Sequence, residues 1–563
     1  MNGGLFDPLK NYDWLDTKIS ISNELFSEII ENFEIYNFTI QEEDPEEKEV
    51  AIDPEMLGKV FENLLEIKDK KSKGTFYTPR KIAKYICDES LKNFLINHFG
   101  EDTRVNFDNF FNNIIDKDLN KFLKSNYKKI DDKLKNIKIC DPAIGSGEFP
   151  VELMNLCVLA RLRLNNYFND NKRTSYLMKR NFIKNSIYGV DVEDSAVETA
   201  KLRLWLSLVI DETDYSKILP LPNLDYKIFK GDSLLSLETN LLGFEIKDDV
   251  KKLKNEYFKT TNIKKKLELK KEIDNKFNTV LDGHISFDYK IFFNEVFEEN
   301  DGFDLIIGNP PYVQIQKLEN KLYKSQLDKN YKVFSGNADL YCLFFEKGVE
   351  LLNQNGCLAY ITSNKWLKTA YGELLRNYFL NNTKIIRLID FKALKVFKKA
   401  SVDTSILILK KGNFDILPAT QVNNSEEYYN LDKTIKTKTV QLNSSNLNGP
   451  WAIEDKKSIN LLYKLKNLKN KLQLNKKKFR YGIKTGLNKA FIIDKKTSNK
   501  IINGNSKSRK IIEKVIRGSC LNNFSFSWDN FYLINSHNGF DENIPINVKK
   551  DFPNIFRYLS KYK

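Results

Sequence analysis

Apolar positions along the middle of the chain switch between extended and helical spacing. KIC (138–140) predicts a short strand that ends on the loop DPAIGSGEF (141–149), and a helix is expected over 150–165. IYGVDV (187–192) reads as a second strand, SAVETAKLRLWLSL (195–208) as a helix and YKIFKGDSL (226–234) as a third strand. FDLIIG (303–308) is apolar enough for a strand buried on both faces, and DLYCLFFEKGVELL (339–352) has helical spacing. GCLAYITSNKW, IIRLIDF and TSILILKK supply three more strands. Strands alternating with helices predict an α/β fold: a Rossmann-like, doubly wound, parallel-rich sheet with helices on both faces.

The flanks differ. Residues 1–73 read as a helical connector, with an acidic loop at 41–49 and a helix starting near Asp53–Pro54. In that helix Met56, Leu57, Val60, Phe61, Leu64 and Leu65 share one face. KGTFYTPRKIAKYI (73–86) is expected to run from a loop into a helix, with Pro79 near the first turn. Residues 121–138 are lysine-rich, and 247–275 read as a charged helical insertion. From about residue 413 the chain becomes rich in Asn and Lys with shorter apolar runs. The expected division is therefore a connector (1–73), the α/β domain (74–412) and a C-terminal α+β domain (413–563).

A length of 563 residues is too much for one core and agrees with two or three domains. The six cysteines are scattered and there are only three histidines, so no metal site is expected and the thiols read as reduced. No stretch approaches the roughly 20 apolar residues of a membrane helix, and the N-terminus lacks a basic-then-apolar leader pattern. A cytoplasmic location with no membrane partner is the expectation. The net charge of +15 favours a polyanionic partner, although an AT-rich genome alone would also enrich lysine.

Four short segments carry chemistry. In Asp141–Pro142–Ala143–Ile144–Gly145–Ser146–Gly147, the two glycines permit a tight turn and let a ligand approach the backbone, and the following helix offers amide donors. A structural turn would use the same residues. Asp191, at the end of the second strand, can accept both hydroxyls of a ribose or cap the helix after it. Asp232, followed by Ser233, can accept from an adenine amino group or serve a plain turn. Asn309–Pro310–Pro311–Tyr312 is more specific. Two prolines after a buried strand remove two amide donors and leave carbonyls without sheet partners. Beside them stand an amide oxygen and an aromatic face. Such a loop suits a planar group bearing NH2: two acceptors draw the nitrogen toward tetrahedral geometry, and the ring stacks.

These segments resemble, in order and over nearly the whole chain, the gamma class of amino-methyltransferases acting on DNA. Within that class the chain is similar to the methylase and target-recognition regions of type IIG restriction–modification enzymes. GTFYTPRKIAKYI resembles the N-terminal cofactor motif, DPAIGSGEF the S-adenosylmethionine loop and NPPY the catalytic loop. YGVDVEDSAVETAKLRLWL and GDSL resemble the two segments that supply the cofactor's ribose-binding and adenine-side acids. ADLYCLFFEKG, GCLAYITSNKW and FKKASVDTSILIL resemble later methylase motifs, and YGIKTGLNKAFII, KVIRGS and YLINSHNG the recognition region.

The resemblance implies methylation of the adenine amino group in double-stranded DNA, with the target base extruded from the duplex. It implies Asn309, Pro310, Pro311 and Tyr312 as the amine-holding set. Tyr77, Thr78 and Pro79 would lie at the methionine end of the cofactor, with Asp141, Pro142, Ala143, Gly145, Gly147, Asp191, Asp232 and Ser233 around the rest. The opening NGGLF resembles the middle of type IIG enzymes, no nuclease-like D…E-x-K arrangement on a strand is found before Gly74, and PNIFRYLSKYK falls inside the family's recognition domain. The expectation is thus a fragment or split-gene product, with a second polypeptide supplying the remaining recognition domain or a nuclease. Two rival readings share the NPPY loop: a protein glutamine methyltransferase and a non-catalytic DNA-binding defence subunit.

Overall fold

The computed structural model describes residues 22–34, 78–168, 173–209, 224–235, 249–254, 262–281, 287–392, 394–397, 402–447, 449–453, 485–521, 525–537 and 545–562, with a few isolated positions between. The acidic loop 41–49, the helix expected from Asp53 and the candidate Tyr77 lie outside the described residues. The chain divides into two compact units, Met1–Leu462 and Tyr463–Lys563.

The first unit is built on nine strands: β1 (Ile139–Asp141), β2 (Ile187–Asp191), β3 (Ile228–Lys230), β4 (Phe303–Gly308), β5 (Leu352–Ser363), β6 (Thr383–Asp390), β7 (Thr404–Lys411), β8 (Ile416–Gln421) and β9 (Val440–Asn443). They lie in the order β3-β2-β1-β4-β5-β7-β6-β8-β9. From β3 through β5 every pairing is parallel. β7 is inserted antiparallel between β5 and β6, and β8 returns parallel to β6.

The helices of this unit are α1 (Asn23–Glu34), α2 (Arg80–Phe99), α3 (Lys117–Asn136), α4 (Glu148–Arg163), α5 (Ser175–Asn185), α6 (Asp194–Val209), α7 (Ile263–Leu281), α8 (Asn294–Asn300), α9 (Lys321–Asn330), α10 (Tyr341–Leu351), α11 (Glu373–Asn382) and α12 (Leu431–Lys438), with shorter turns between. Successive strand side chains point to opposite faces, and this divides the core in two. Ile139, Ile187, Leu305, Ile307, Ala359 and Ile406 join one cluster with apolar residues of α2 to α6. Cys140, Tyr188, Ile306, Leu358, Tyr360 and Leu407 join the other with residues of α7 to α11. β4 is buried at all six positions, as its unbroken apolar run requires. The fold is a doubly wound α/β sandwich, and no helix among the described residues is long and apolar enough to cross a membrane.

Local signals set the helix ends. Asp116 caps α3 by accepting from the Leu119 amide at 2.7 Å, and Thr174 caps α5 through Leu177 at 3.3 Å. α7 runs to Leu281, past the end expected for the charged insertion. The larger difference concerns the boundary expected after residue 412. β8 and β9 extend the sheet to Asn443, and α12 places Leu431 and Ile435 in the core shared with α2. The division falls instead between Leu462 and Tyr463. Pro418 in β8 and the polar residues of both strands, of which β9 is the sheet's edge, hide their period.

In the second unit β10 (Ile492–Asp494), β11 (Ile512–Lys514) and β12 (Phe531–Ile534) form an antiparallel sheet in the order β10-β12-β11. Ile493, Ile501, Ile511, Ile512, Ile534 and Ile555 form its small core, with α13 (Lys495–Gly504) and α14 (Pro553–Leu559) packed on it. This is the α+β character expected of the C-terminal region.

Candidate functional site

Because β3, β2, β1 and β4 are parallel neighbours, the loops after their carboxyl ends emerge along one edge of the sheet. Strands β1 to β3 are laid down in one direction and β4 to β5 in the other, so the winding reverses between β1 and β4. Open α/β sheets form their ligand crevice at such a switch point. The Asp141–Gly147 loop follows β1, Asp191 ends β2, Gly231–Ser233 follows β3, and Asn309–Tyr312 follows β4. Residues distant in sequence are thereby brought to one place.

The loop after β1 is held by its own backbone. Ala143 donates to Asp141 Oδ1 at 3.0 Å, Ile144 to the Val190 carbonyl at 3.0 Å, Gly145 to Asp191 Oδ2 at 2.9 Å and Gly147 to the Ile144 carbonyl at 2.9 Å. Those amides serve the fold, so donors for a ligand belong to the first turn of α4 beyond them. The two glycines have different work. Gly147 has φ +80°, and a Cβ there would stand 3.1 Å from Ala200 of α6, so its bareness allows helix packing. Gly145 has φ +53°, and its nearest neighbour beyond the adjoining residues is 4.0 Å from a built Cβ, so it fronts open space.

Asp191 does more than end a strand. Its Oδ2 takes the Gly145 amide and its Oδ1 the Glu193 amide at 3.0 Å, which ties the glycine loop to the start of α6. A carboxylate offers about four acceptor positions, so two hydrogen bonds leave capacity for a ligand. Burial raises its pKa above the ordinary carboxylate range, against the backbone amides of Glu193, Gly145 and Val192 that favour the charge. Asp141 is almost wholly enclosed, at 1% exposure, and burial pushes its carboxyl well up. It stands where a Cβ on Gly308 would be 2.6 Å from its Oδ1, so it joins the β1 loop to the β4 strand.

Burial also raises Asp232, against the Leu234 amide that its Oδ1 accepts at 2.9 Å. Ser233 beside it uses its hydroxyl within the protein: it donates to the Pro142 carbonyl at 2.5 Å and accepts from Tyr289 at 2.8 Å. That side chain clamps the β3 loop to the β1 loop.

At the end of β4, the Asn309 Nδ2 donates to Thr78 Oγ1 at 3.1 Å, and Thr78 is buried immediately before Pro79 and α2. With the amino end of the carboxamide turned to Thr78, its oxygen faces the opposite way. Pro310 is buried and Pro311 half-buried. Tyr312 donates to the Ile361 carbonyl of β5 at 3.2 Å, and its ring meets Tyr341 and Phe397 edge-on, with centroids 5.9 and 6.2 Å apart. Burial pushes its phenol well above its usual pKa, so the ring is neutral.

Several contributors escape a reading of motifs. Arg203 of α6 is buried and donates to the Ser146 carbonyl at 3.0 Å and to Glu148 at 2.7 Å, pinning the glycine loop from behind. Its only sequence signal is a cation within the apolar run LRLWL. Tyr289 and Phe397 lie far along the chain from the groups they touch.

Residues 185–397 match the Eco57I restriction-modification methylase family. Over 510 residues the chain is 27% identical to RM.MjaORFECS2P of Methanocaldococcus jannaschii, by name a type II restriction enzyme and methyltransferase, covering 73% of this chain and 42% of that protein. It is 28% identical over 385 residues to the type II restriction enzyme and methyltransferase RM.Eco57I of Escherichia coli, covering 65% of this chain and 34% of that protein. The chain therefore spans less than half the length of these two relatives. The type IIL restriction-modification enzyme MmeI, solved in complex with DNA, has the same fold, with a TM-score of 0.53 at 15% identity over 91% of this chain and 57% of that one. Over residues 185–397 the chain is thus similar to the Eco57I restriction-modification methylase family, and its relatives include type II restriction–modification methyltransferases.

Proposed function

We propose that the chain transfers a methyl group from S-adenosylmethionine to the exocyclic amino group of adenine in duplex DNA. The observation that carries this reading is the Asn309–Thr78 hydrogen bond at the switch point, beside Pro310 and the fixed ring of Tyr312. It orients the amide oxygen as an acceptor in a loop whose prolines cannot donate.

The residues suit the cofactor. Gly145 leaves open space where a nucleoside needs close approach, and Asp191 and Asp232 end adjacent parallel strands, where one can face a ribose and the other a purine amino group. When bound, S-adenosylmethionine supplies an electrophilic methyl on a positively charged sulfur. The protein's part is alignment. Asn309 and the Pro310 carbonyl accept from the adenine amine, localise its lone pair and stabilise the charge that develops on nitrogen. Tyr312, neutral and braced by Ile361, Tyr341 and Phe397, stacks on the extruded base.

In the second unit, Lys514 lies over the Trp528 ring at 4.5 Å and Arg517 over the Phe531 ring at 4.1 Å. Cationic and aromatic groups interleaved in this way suit nucleic acid, and we assign target recognition to this unit. The test is transfer of labelled methyl to duplex DNA, followed by nucleoside analysis. The expected product is N6-methyladenine; label appearing in N4-methylcytosine or in a release-factor glutamine instead would overturn the reading.

A further inference from the structure

β7 pairs antiparallel with both β5 and β6, and β8 is parallel to β6, so β6 and β8 run in the direction of β4 and β5. The loops after them therefore emerge on the same edge of the sheet as Asn309–Tyr312. The loop after β8 closes into a short helical turn, Ser425–Tyr429, capped by Asn424, which accepts from the Glu427 amide at 2.9 Å. Tyr428 meets Phe391, the residue after β6, edge-on with centroids 6.3 Å apart. Phe391 and Phe397 belong to one apolar cluster, and the rings of Tyr312 and Tyr428 both pack against it. Tyr429, the next residue, is 70% exposed.

Lys81, in the first turn of α2, reaches this turn from the other side. Its ammonium donates to the Tyr429 carbonyl at 2.5 Å and lies 5.3 and 5.6 Å from the centroids of the Tyr429 and Tyr428 rings. Thr78, three residues earlier, is the partner of Asn309. Lys81 and Tyr429 are thus tied to the Asn309–Tyr312 loop twice, through the start of α2 and through the loop after β6.

An ammonium has three donors and the carbonyl takes one of them. Lys81 is exposed, so the others face solvent. A cross-link between α2 and the loop after β8 needs the carbonyl but not an exposed ring beside it. A cation held in place next to an aromatic face matches a sugar–phosphate backbone: phosphate oxygens take the free donors, and the ring covers the deoxyribose. Lys365 after β5 and Lys395 after β6 are exposed on the same edge, so the local charge favours a polyanion. An adenine whose amine is held at Asn309 stays joined to its own sugar and two phosphates, which must leave along this edge.

We propose that Lys81 and Tyr429 clamp the DNA strand beside the extruded adenine, Lys81 on a backbone phosphate and Tyr429 on the adjoining sugar. This rests on the reading of the chain as a DNA methyltransferase.

The experiment is fluorescence anisotropy of the full chain with a short labelled duplex carrying one adenine opposite an abasic site, which lowers the cost of extrusion. Affinity is measured between about 50 and 200 mM salt, where its logarithm falls linearly with that of the salt concentration. Lys81→Gln should reduce that slope by about one, the count of one phosphate contact. Its affinity should fall about tenfold, the scale of one hydrogen bond to a charged group. Lys81→Arg should keep the slope. Tyr429→Ala leaves the backbone carbonyl to Lys81; it should bind severalfold more weakly with the slope unchanged. A wild-type chain that fails to bind, or binds without regard to salt, would overturn the clamp together with the DNA reading. Salt-dependent wild-type binding with the same slope in Lys81→Gln would overturn the clamp alone, and a lower melting temperature in that variant would then make Lys81 a cross-link between α2 and the loop after β8. Wild-type affinity in Tyr429→Ala would equally remove the clamp, because the ring would then touch no DNA.

Discussion

Thr78 and Asn309 are joined by a 3.1 Å hydrogen bond, from the Asn309 amide to the Thr78 hydroxyl. The motif before α2 and the loop after β4 therefore form one unit. Sequence resemblance pointed Thr78 at the methionine end of the cofactor, and the hydrogen bond gives it a second task, orienting the amide proposed to hold the target amine. Asn309→Ala should reduce turnover by about a hundredfold or more, the scale of deleting one preorganised polar partner of a developing charge. Thr78→Val keeps shape and removes the acceptor; turnover should fall about tenfold, the scale of one lost hydrogen bond. Cofactor affinity should stay within twofold in Asn309→Ala, because Asn309 faces the amine and not the cofactor. Rapid-quench turnover with parallel calorimetry measures the two effects, and a Thr78→Val defect confined to affinity would return Thr78 to the cofactor alone.

Asp191 serves the loop as well as the proposed ribose. Asp191→Ala should weaken S-adenosylmethionine binding by about 1.5–3 kcal/mol, the worth of hydrogen bonds to a charged acceptor. It should also lower the melting temperature, because the Gly145 and Glu193 amides lose their acceptor. Calorimetry and thermal melting on the same preparation read both. A stability loss with unchanged affinity would make Asp191 a tether for the glycine loop and nothing more.

Gly308 offers a probe of how the two central loops depend on one another. An added Cβ would meet Asp141 Oδ1 at 2.6 Å, and Asp141 holds the Ala143 amide. Gly308→Ala must displace that carboxylate and the loop after β1 with it. The cost should be about 1–3 kcal/mol of stability, as for other overpacked cores. Cofactor affinity should fall too, although Gly308 precedes the catalytic loop and lies outside the cofactor segments. Unchanged affinity would show that the two loops move independently.

Much of this was legible in the sequence for a physical reason. Strands buried on both faces must be apolar throughout, so FDLIIG and TSILILKK stand out, and the loops between strands and helices carry the Gly, Pro and Asp residues that define the site. What was hidden depends on tertiary neighbours. Val440–Asn443 is an edge strand, open on one side, and its neighbour Ile416–Gln421 carries Pro418 and polar residues in its run, so both resembled linker. Nothing local marks Ser233 as a clamp on Pro142, Gly147 as a seat for Ala200, or Arg203 as a brace for Ser146. Each role exists only once the strands are side by side.

Glu295, on α8, yields the last prediction. It accepts from Lys227 at 3.3 Å and Lys254 at 2.9 Å, and Lys227 also bonds the Tyr188 hydroxyl at 2.6 Å. Although burial works against its charge, the two ammonium groups hold the Glu295 carboxyl at about 2, below its ordinary 4.5. Lys227 faces a single shared carboxylate, and burial pushes its ammonium down to about 8, so it remains charged at neutral pH. A carboxyl depressed in the folded state binds fewer protons than in the unfolded chain. Its contribution is therefore full above pH 4.5 and is lost as pH falls toward 2. The shift corresponds to roughly 3 kcal/mol. Glu295→Gln should destabilise the protein by about that amount at pH 7, since two buried lysines lose their counter-charge. Denaturant unfolding of both proteins from pH 7 to pH 3 measures it. The gap between wild type and variant should narrow below pH 4.5; a gap constant with pH would mean that the carboxylate's charge is not what holds α8 against the β3 side of the sheet.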